Sequence, residues 1–493
     1  MLQKLFSGSS GPEPAGAGYP GLMIAASRVL PGSFLVFLRR LEGPVASRFA
    51  RGAFWSLVGS VLSRFLALAS AILAARILGK LAFGEFGVIQ TTVGMFGTLA
   101  GFGMGTTASK FVAEFRGKDP AKAGRVVVLS RVVSWGTGAL LGVALVFVAP
   151  CLCGRVLGTA HLTGYIQIGA LLLLLNAVNG AQTGVLSGFE AFRAIARVNT
   201  IGGLLNFPLV VGGAALFGLS GVVWGMIIAQ LTTCALTAFA LRREMARQAI
   251  PPAGSSWVAE LPLVWQFTLP AVLGSLLMNP VAWACTAMLV QQPGGLEKMG
   301  AFNAANQWFN ALLWLPYVLA QALLPILAER VGASDMNRSR KILVASIKLN
   351  AVFAFPVVLA GCCLSPYIMR AYGKDFAGEW PTLVAVLATA GIGAIQIPVG
   401  NMVAASGRMW LGFWMNLLWS AVFLLGTWSL LAWGPFGLAL ARFLAYGTQG
   451  VWAFAYAFLI LRQMRPARVA DLCAPTFPAA FPPPGNLKLG EPL

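Results

Sequence analysis

Charge is scarce in this chain. Asp, Glu, Lys and Arg make up 10% of its 493 residues, against about 25% in a soluble globular domain. Acidic groups are the scarcest: of the fifteen, all but Glu85, at the very start of an expected span, fall in stretches read as loops or tails. A proton- or sodium-coupled carrier keeps a carboxylate inside the membrane for its ion, and no acidic residue here is read at such a depth. Histidine occurs once, as His161, and the seven cysteines lack metal-ligand spacing. Cys151, Cys153, Cys362 and Cys363 read as small apolar residues near span ends. There is no P-loop, no HExxH helix and no Ser/His/Asp set. An ATPase and a metalloenzyme are excluded. The chain reads as a non-enzyme with no cofactor and no metal.

Apolar surface is what the sequence has in excess. Hydrophobic residues reach 58% and the mean hydropathy is +0.78. Runs of about 20 apolar residues recur along the chain, enough for helices to cross a bilayer. The expected spans are 52–76, 84–108, 126–150, 163–187, 199–218, 219–241, 262–290, 300–328, 342–369, 381–405, 411–433 and 435–461. Helices are required because backbone polar groups in lipid must be satisfied within the segment. The expected fold is an all-α polytopic membrane protein, with about twelve transmembrane helices in two six-helix lobes around a central cavity. Residues 1–51 read as a cytoplasmic segment, disordered over 1–20 with an interfacial helix over 21–41. The N-lobe then spans 52–241, a cytoplasmic linker 242–261, the C-lobe 262–461 and a Pro-rich tail 462–493.

A faint internal repeat supports two lobes. Phe111-Val112-Ala113-Glu114 returns as Ile326-Leu327-Ala328-Glu329, and Arg125 and Ser130 fall opposite Lys341 and Ser346. Phe217-Gly218-Leu219 is matched to Phe436-Gly437-Leu438. In span 2, Gly97 and Gly101 form a GxxxG pair, which reads as close helix packing or a bend. In span 7, Pro270 and Asn279-Pro280 read as kinks.

The net charge of +20 would suit nucleic acid, but its distribution does not. With the tails pooled among the even-numbered loops, 26 Lys and Arg lie on that side and 6 in the odd loops. That asymmetry is the positive-inside rule. It predicts both termini in the cytoplasm, contact with membrane lipids, and no nucleic-acid partner.

Three features carry chemistry. Arg64 lies 13 residues after Arg51 and 12 before Arg76, about 20 Å from either helix end at 1.5 Å per residue. A charge at that depth costs at least about 2.5–3.5 kcal/mol, so it needs a wet cavity, an anion or a neighbouring helix's carbonyls. Arg442 is shallower and reads as snorkelling or cavity-lining. Span 8 holds Asn303, Asn306, Gln307 and Asn310 on one helical face, continued by Gln321. The repeat sets Thr91 and Thr92 opposite Asn306 and Gln307. These nine residues are the candidate cavity wall; interhelical hydrogen bonding is the alternative reading of the stripe.

The stretch ARILGKLAFGEFGVIQ (75–90), a Gly-rich second span and the basic loop SKFVAEFRGKDP (109–120) together carry a resemblance. The chain resembles the polysaccharide-exporter branch of the multidrug/oligosaccharidyl-lipid/polysaccharide (MOP) superfamily, near the O-antigen and capsule-type flippases, over about 52–462. The resemblance implies alternating access and a polyprenyl-diphosphate-linked oligosaccharide moved from the inner to the outer leaflet of the bacterial inner membrane. It also implies surface polysaccharide polymerase or export machinery as partners. Peptidoglycan-precursor flippases carry SR, then Arg-Asp, then AR in the first span. Ser63-Arg64 and Ala75-Arg76 match, but Ser70-Ala71 occupies the middle pair, which argues against that substrate. The rival readings are a multidrug antiporter of the same superfamily and a membrane glycosyltransferase or polymerase.

Overall fold

The structure, a computed structural model, describes residues 44–101, 103–251, 255–262, 277–332, 336–406 and 409–463. The expectations for 1–43, the end of the tail and Pro270 lie outside them. The elements are α1 (Pro44–Ala100), α2 (Met104–Phe115), α3 (Pro120–Cys151), α4 (Thr163–Gly188), α5 (Phe192–Arg247), α6 (Met278–Val290), α7 (Gly295–Gly332), α8 (Met336–Tyr372), α9 (Trp380–Ala405), α10 (Met409–Leu430) and α11 (Gly434–Gln463). No strand occurs among the described residues.

Two of these helices are folded-back pairs. α1 breaks at Gly79 and α5 at Gly218. Counting the arms 44–78, 80–100, 192–217 and 219–247 separately, and α2 with the arm 80–100 that it follows, gives twelve helical segments among the described residues, six in each half of the chain. Seven described stretches are long and apolar enough to cross a membrane, and three of them contain two crossings each. The protein is a multi-pass, all-α membrane protein.

The repeat is real, but its second half is offset from the expected match. Gly218 has φ 57° and ψ −135°, and Gly434 has φ 60° and ψ −135°. Only glycine adopts that conformation readily, so Gly434 rather than Gly437 is the equivalent of Gly218. The shared Phe-Gly-Leu triplet is a coincidence of composition three residues away. Arg442 then pairs with Met226, not Val223, and Asn306 with Gln90, not Thr91.

Side chains agree with this register. Gln90 Nε2 lies 3.9 Å from Met226 Sδ, and Arg442 Nη1 donates to Asn306 Oδ1 at 2.7 Å; both pairs are 136 residues apart. The arms 80–100 and α7 meet as equivalents. A Cβ on Gly84 would stand 1.8 Å from the Leu296 carbonyl oxygen, and one on Gly300 would stand 2.1 Å from that of Lys80. The two helices therefore touch backbone to backbone across the lobe boundary.

That contact belongs to a seal at the odd-loop ends. Lys80 Nζ pairs with Glu379 Oε1 across the lobes at 2.8 Å, both side chains largely covered. Phe83 packs between Tyr372 and Phe376, each 6.3 Å away by ring centroid. Trp283 Nε1 donates to Thr92 Oγ1 at 3.1 Å, and Asn303 Nδ2 to the Phe83 carbonyl at 3.4 Å. Glu85, the second residue of the expected span 84–108, lies inside α1 near this end and pairs with His161 at 2.8 Å.

Local signals place the rest. Asp119 caps α3, its carboxylate accepting from the Lys122 N–H at 2.9 Å, with Pro120 in the first turn. Pro280 likewise falls in the first turn of α6, and the residues before 277 that would decide whether it kinks a longer helix lie outside those described. The Gly97/Gly101 pair is not a packing seam: a Cβ on Gly97 would meet nothing within 4 Å, and one on Gly101 only the Gly97 carbonyl oxygen of its own helix at 3.9 Å; the close contacts of this span fall at Gly84 and Gly105. Instead the helix stops at Ala100, and α2 starts after Gly103 in the left-handed region. All six described cysteines are free thiols.

Between the lobes, α5 runs on to Arg247, and a short turn at Ser255–Glu260 lies against α3. There Glu260, 7% exposed, accepts from Arg125 Nε at 2.9 Å. Removing one partner of a covered ion pair strands the other charge, at about 3–5 kcal/mol. Arg125→Leu should therefore lower stability by about 3 kcal/mol, and adding Glu260→Leu should recover most of it. Chemical unfolding in detergent would check this; equal stability of the single and double variants would refute it.

Candidate functional site

A cavity of about 500 Å³ opens within the N-lobe. Its wall comes from both arms of α1, from α4 and from both arms of α5, with Trp314 of α7 reaching in from the other lobe. Gly97, Asn199 and Thr233 lie in it, so it extends from the membrane middle toward the even-loop ends, opposite the seal.

Among the described residues, Arg64 is its one charged lining residue. Its position follows from a tight crossing of the first arm with α5. Ser63 Oγ donates to the Asn199 carbonyl at 2.8 Å, and Ser63 sits where a Cβ on Gly203 would be, 2.7 Å away. With Ser63 turned onto α5, Arg64 is carried to the open side. It is exposed and makes no hydrogen bond or ion pair among the described residues. An arginine at this depth without a carboxylate or a carbonyl partner is a charge left available to a ligand.

The polar complement is mostly amide. Gln90, Asn176, Asn199, Asn206 and Gln230 line the cavity together with the hydroxyls of Ser63 and Thr233, and among the described residues no Asp or Glu does. Four of these five amides, in spans 4 to 6, were not singled out from the sequence. Their signal was there: isolated amides inside apolar runs, which lipid does not tolerate. Without the fold, nothing said that they converge.

Of the eight candidate side chains that are described, Arg64 alone lines this cavity. Gln321 lies on α7, with its side chain outside the described set. Thr91 donates to the Gly87 carbonyl of its own helix at 2.9 Å, and Thr92 to that of Val88 at 2.8 Å. The α7 stripe is divided. Asn303 is buried at the lobe boundary and accepts from Gln307 Nε2 at 3.5 Å. Asn306 holds Arg442, whose guanidinium stacks 3.7 Å over the Phe309 ring. That stacking and hydrogen bond fix Arg442 within the C-lobe. Asn310 is exposed.

Twelve helical segments in two repeated lobes, sealed at one end with a polar cavity toward the other, form an architecture that solved structures share. An inward-facing multidrug resistance MATE family transporter of the MOP superfamily matches with a TM-score of 0.68 at 14% identity, covering 84% of this chain and 99% of that one. The lipid II flippase MurJ, in an inward closed conformation, matches with a TM-score of 0.63 at 16% identity, covering 86% and 93%. Within that fold, the chain belongs to the polysaccharide biosynthesis protein family, which it matches over residues 49–331; a MatE match covers 270–409. A relative from Ralstonia nicotianae, the EPS I polysaccharide export inner membrane protein EpsE, is 26% identical over 364 residues, 70% of this chain and 77% of the relative.

Proposed function

We propose that this protein is a flippase that carries a polyprenyl-diphosphate-linked oligosaccharide from the inner to the outer leaflet of the bacterial inner membrane. The observation that carries the reading is the unpaired Arg64 in a cavity with no acidic lining residue. Such a site holds an anion, and the family and the polysaccharide-exporting relative supply the kind of anion. The distribution of basic loops puts both termini and the cavity mouth on the cytoplasmic side. The conformation is then inward-facing, closed by the Gly84–Gly300 seal. Arg64 grips the diphosphate, the polyprenyl chain stays in lipid, and Arg442 takes over the phosphate as the lobes rock. Exporting two negative charges down an inside-negative potential releases about 4.6 kcal/mol per 100 mV, so no ion site is needed. A multidrug antiporter would need a membrane carboxylate for its cation. Glu85 is the acidic residue nearest that description, and it is engaged by His161.

Depletion of the protein is expected to make a complete polyprenyl-linked repeat unit accumulate, with loss of surface polysaccharide. Mass spectrometry of the lipid pool reads this directly. An unchanged pool with altered drug sensitivity would replace this reading with the antiporter.

A further inference from the structure

Resting on that flippase reading, we infer that the N-lobe cavity carries a sugar subsite beside Arg64. It is built from Gln90, Asn176, Asn206 and Gln230 with Trp314 as a stacking face, and it takes an uncharged, hydroxyl- or acetamido-bearing sugar attached directly to the diphosphate. The α7 stripe is the natural sugar contact from sequence, but Asn303 and Asn306 are engaged with Phe83 and Arg442. The N-lobe amides are the reverse case. Asn176, Asn206 and Gln230 make no hydrogen bond among the described residues, and Gln90 has only a 3.9 Å contact to a thioether sulfur.

Unpaired amides inside a membrane protein are costly unless water or a ligand pairs with them. Each offers a donor and an acceptor, which suits hydroxyl and acetamido groups. The wall has one cation and no carboxylate. Arg64 is matched by the diphosphate, so a second negative charge on the first sugar would find no partner. Trp314 lies against this wall from the C-lobe, and an indole plane packs well on the apolar face of a sugar ring. The volume of about 500 Å³ is within the usual range for a small-molecule site, roughly 300–1,000 Å³. It holds a sugar or two, not a whole oligosaccharide, so the distal sugars project toward the cytoplasmic mouth. The subsite therefore reads the first sugar and leaves the rest of the glycan unread.

The test compares two affinities of the full-length protein in nanodiscs. One probe is undecaprenyl diphosphate; the others are the same lipid bearing N-acetylglucosamine, glucose, galactose or glucuronic acid. The parent is expected to bind at least one of the neutral sugar lipids at least tenfold more tightly than the bare diphosphate, and the glucuronic acid lipid no more tightly. Asn206→Leu with Gln230→Leu, and separately Trp314→Leu, should each bring that ratio close to one. Arg64→Ala should weaken all the probes together. Trp314→Phe, a mild change that keeps a ring, should retain most of the preference. A ratio that survives both the amide and the Trp314→Leu substitutions, in monodisperse protein, overturns the subsite. So does a parent that shows no preference for any neutral sugar, or one that prefers the acidic sugar. Failure of the parent to bind any of these lipids would instead overturn the flippase reading.

Discussion

Arg64→Ala should cut flipping of a polyprenyl-diphosphate-linked sugar by at least about a hundredfold, the equivalent of about 2.7 kcal/mol. The size follows from where the charge sits. Truncating one partner of a desolvated, hydrogen-bonded charge pair costs about 2–5 kcal/mol, and no other cation lines this cavity to compensate. Arg64→Lys keeps the charge but loses the planar fork that grips two phosphate oxygens at once. It should fall between the two, about tenfold below the parent. The measurement is the rate at which reconstituted vesicles move undecaprenyl-diphosphate-N-acetylglucosamine between leaflets, with protein amount and monodispersity matched. The alternative is that Arg64 only braces the crossing of the first arm with α5. Ser63 and Gly203 already make that crossing, so the alternative predicts a stable alanine variant with the parent's rate. Such a result would remove Arg64 from the mechanism and leave the cavity without an anion-binding group.

How much of this was legible in advance depends on which physical signal each feature leaves in a chain. The twelve helical segments were legible because burying an unpaired backbone in lipid is so costly that apolar run length nearly dictates them. Arg64 was legible for the same reason, since a charge in the middle of such a run must face something polar. The register of the repeat was legible only where it has a backbone consequence. Gly218 and Gly434 share a conformation that the sequence does not display, while the more eye-catching Phe-Gly-Leu triplets do not correspond. The split of the α7 stripe was not legible at all. Asn303, Asn306 and Asn310 look alike on a helical wheel, yet the first is buried against α1, the second holds Arg442 and the third is exposed. Which of them is free for a ligand depends on what the neighbouring helices of both lobes present. The amides of spans 4 to 6 failed to stand out for a related reason: they are spread over three spans, and the cavity is a property of five segments together.

Gly84→Leu tests the seal itself, and its effect should be as large as that of Arg64→Ala by a different route. In this structure the nearest atoms to a Cβ at this position are the Leu296 carbonyl oxygen at 1.8 Å and carbon at 2.8 Å, then the Gly300 nitrogen at 2.9 Å. All are backbone, so no rotamer change relieves the clash, and the helices must part by about 2 Å to reach ordinary contact distance. That separation would pull Lys80 from Glu379 and loosen Phe83 from Tyr372 and Phe376. Each lobe keeps its own packing, so the protein should still fold. What changes is the balance of states: the inward-facing form loses its seal, and the population moves toward the outward-open form. A carrier held in one state does not turn over. Flipping should drop at least tenfold, and the cavity should become reachable from the odd-loop side. With the native cysteines removed, Gln90→Cys should react with a membrane-impermeant maleimide added to spheroplasts much faster in the Gly84→Leu background than without it. Gly136→Leu is the matched control, because a Cβ there meets nothing within 4 Å, and it should leave both readouts near the parent. If Gly84→Leu flips lipid at the parent's rate and Gln90→Cys stays shielded, the backbone contact between α1 and α7 is not a gate. The closed end would then have to be sought in the Lys80–Glu379 pair alone.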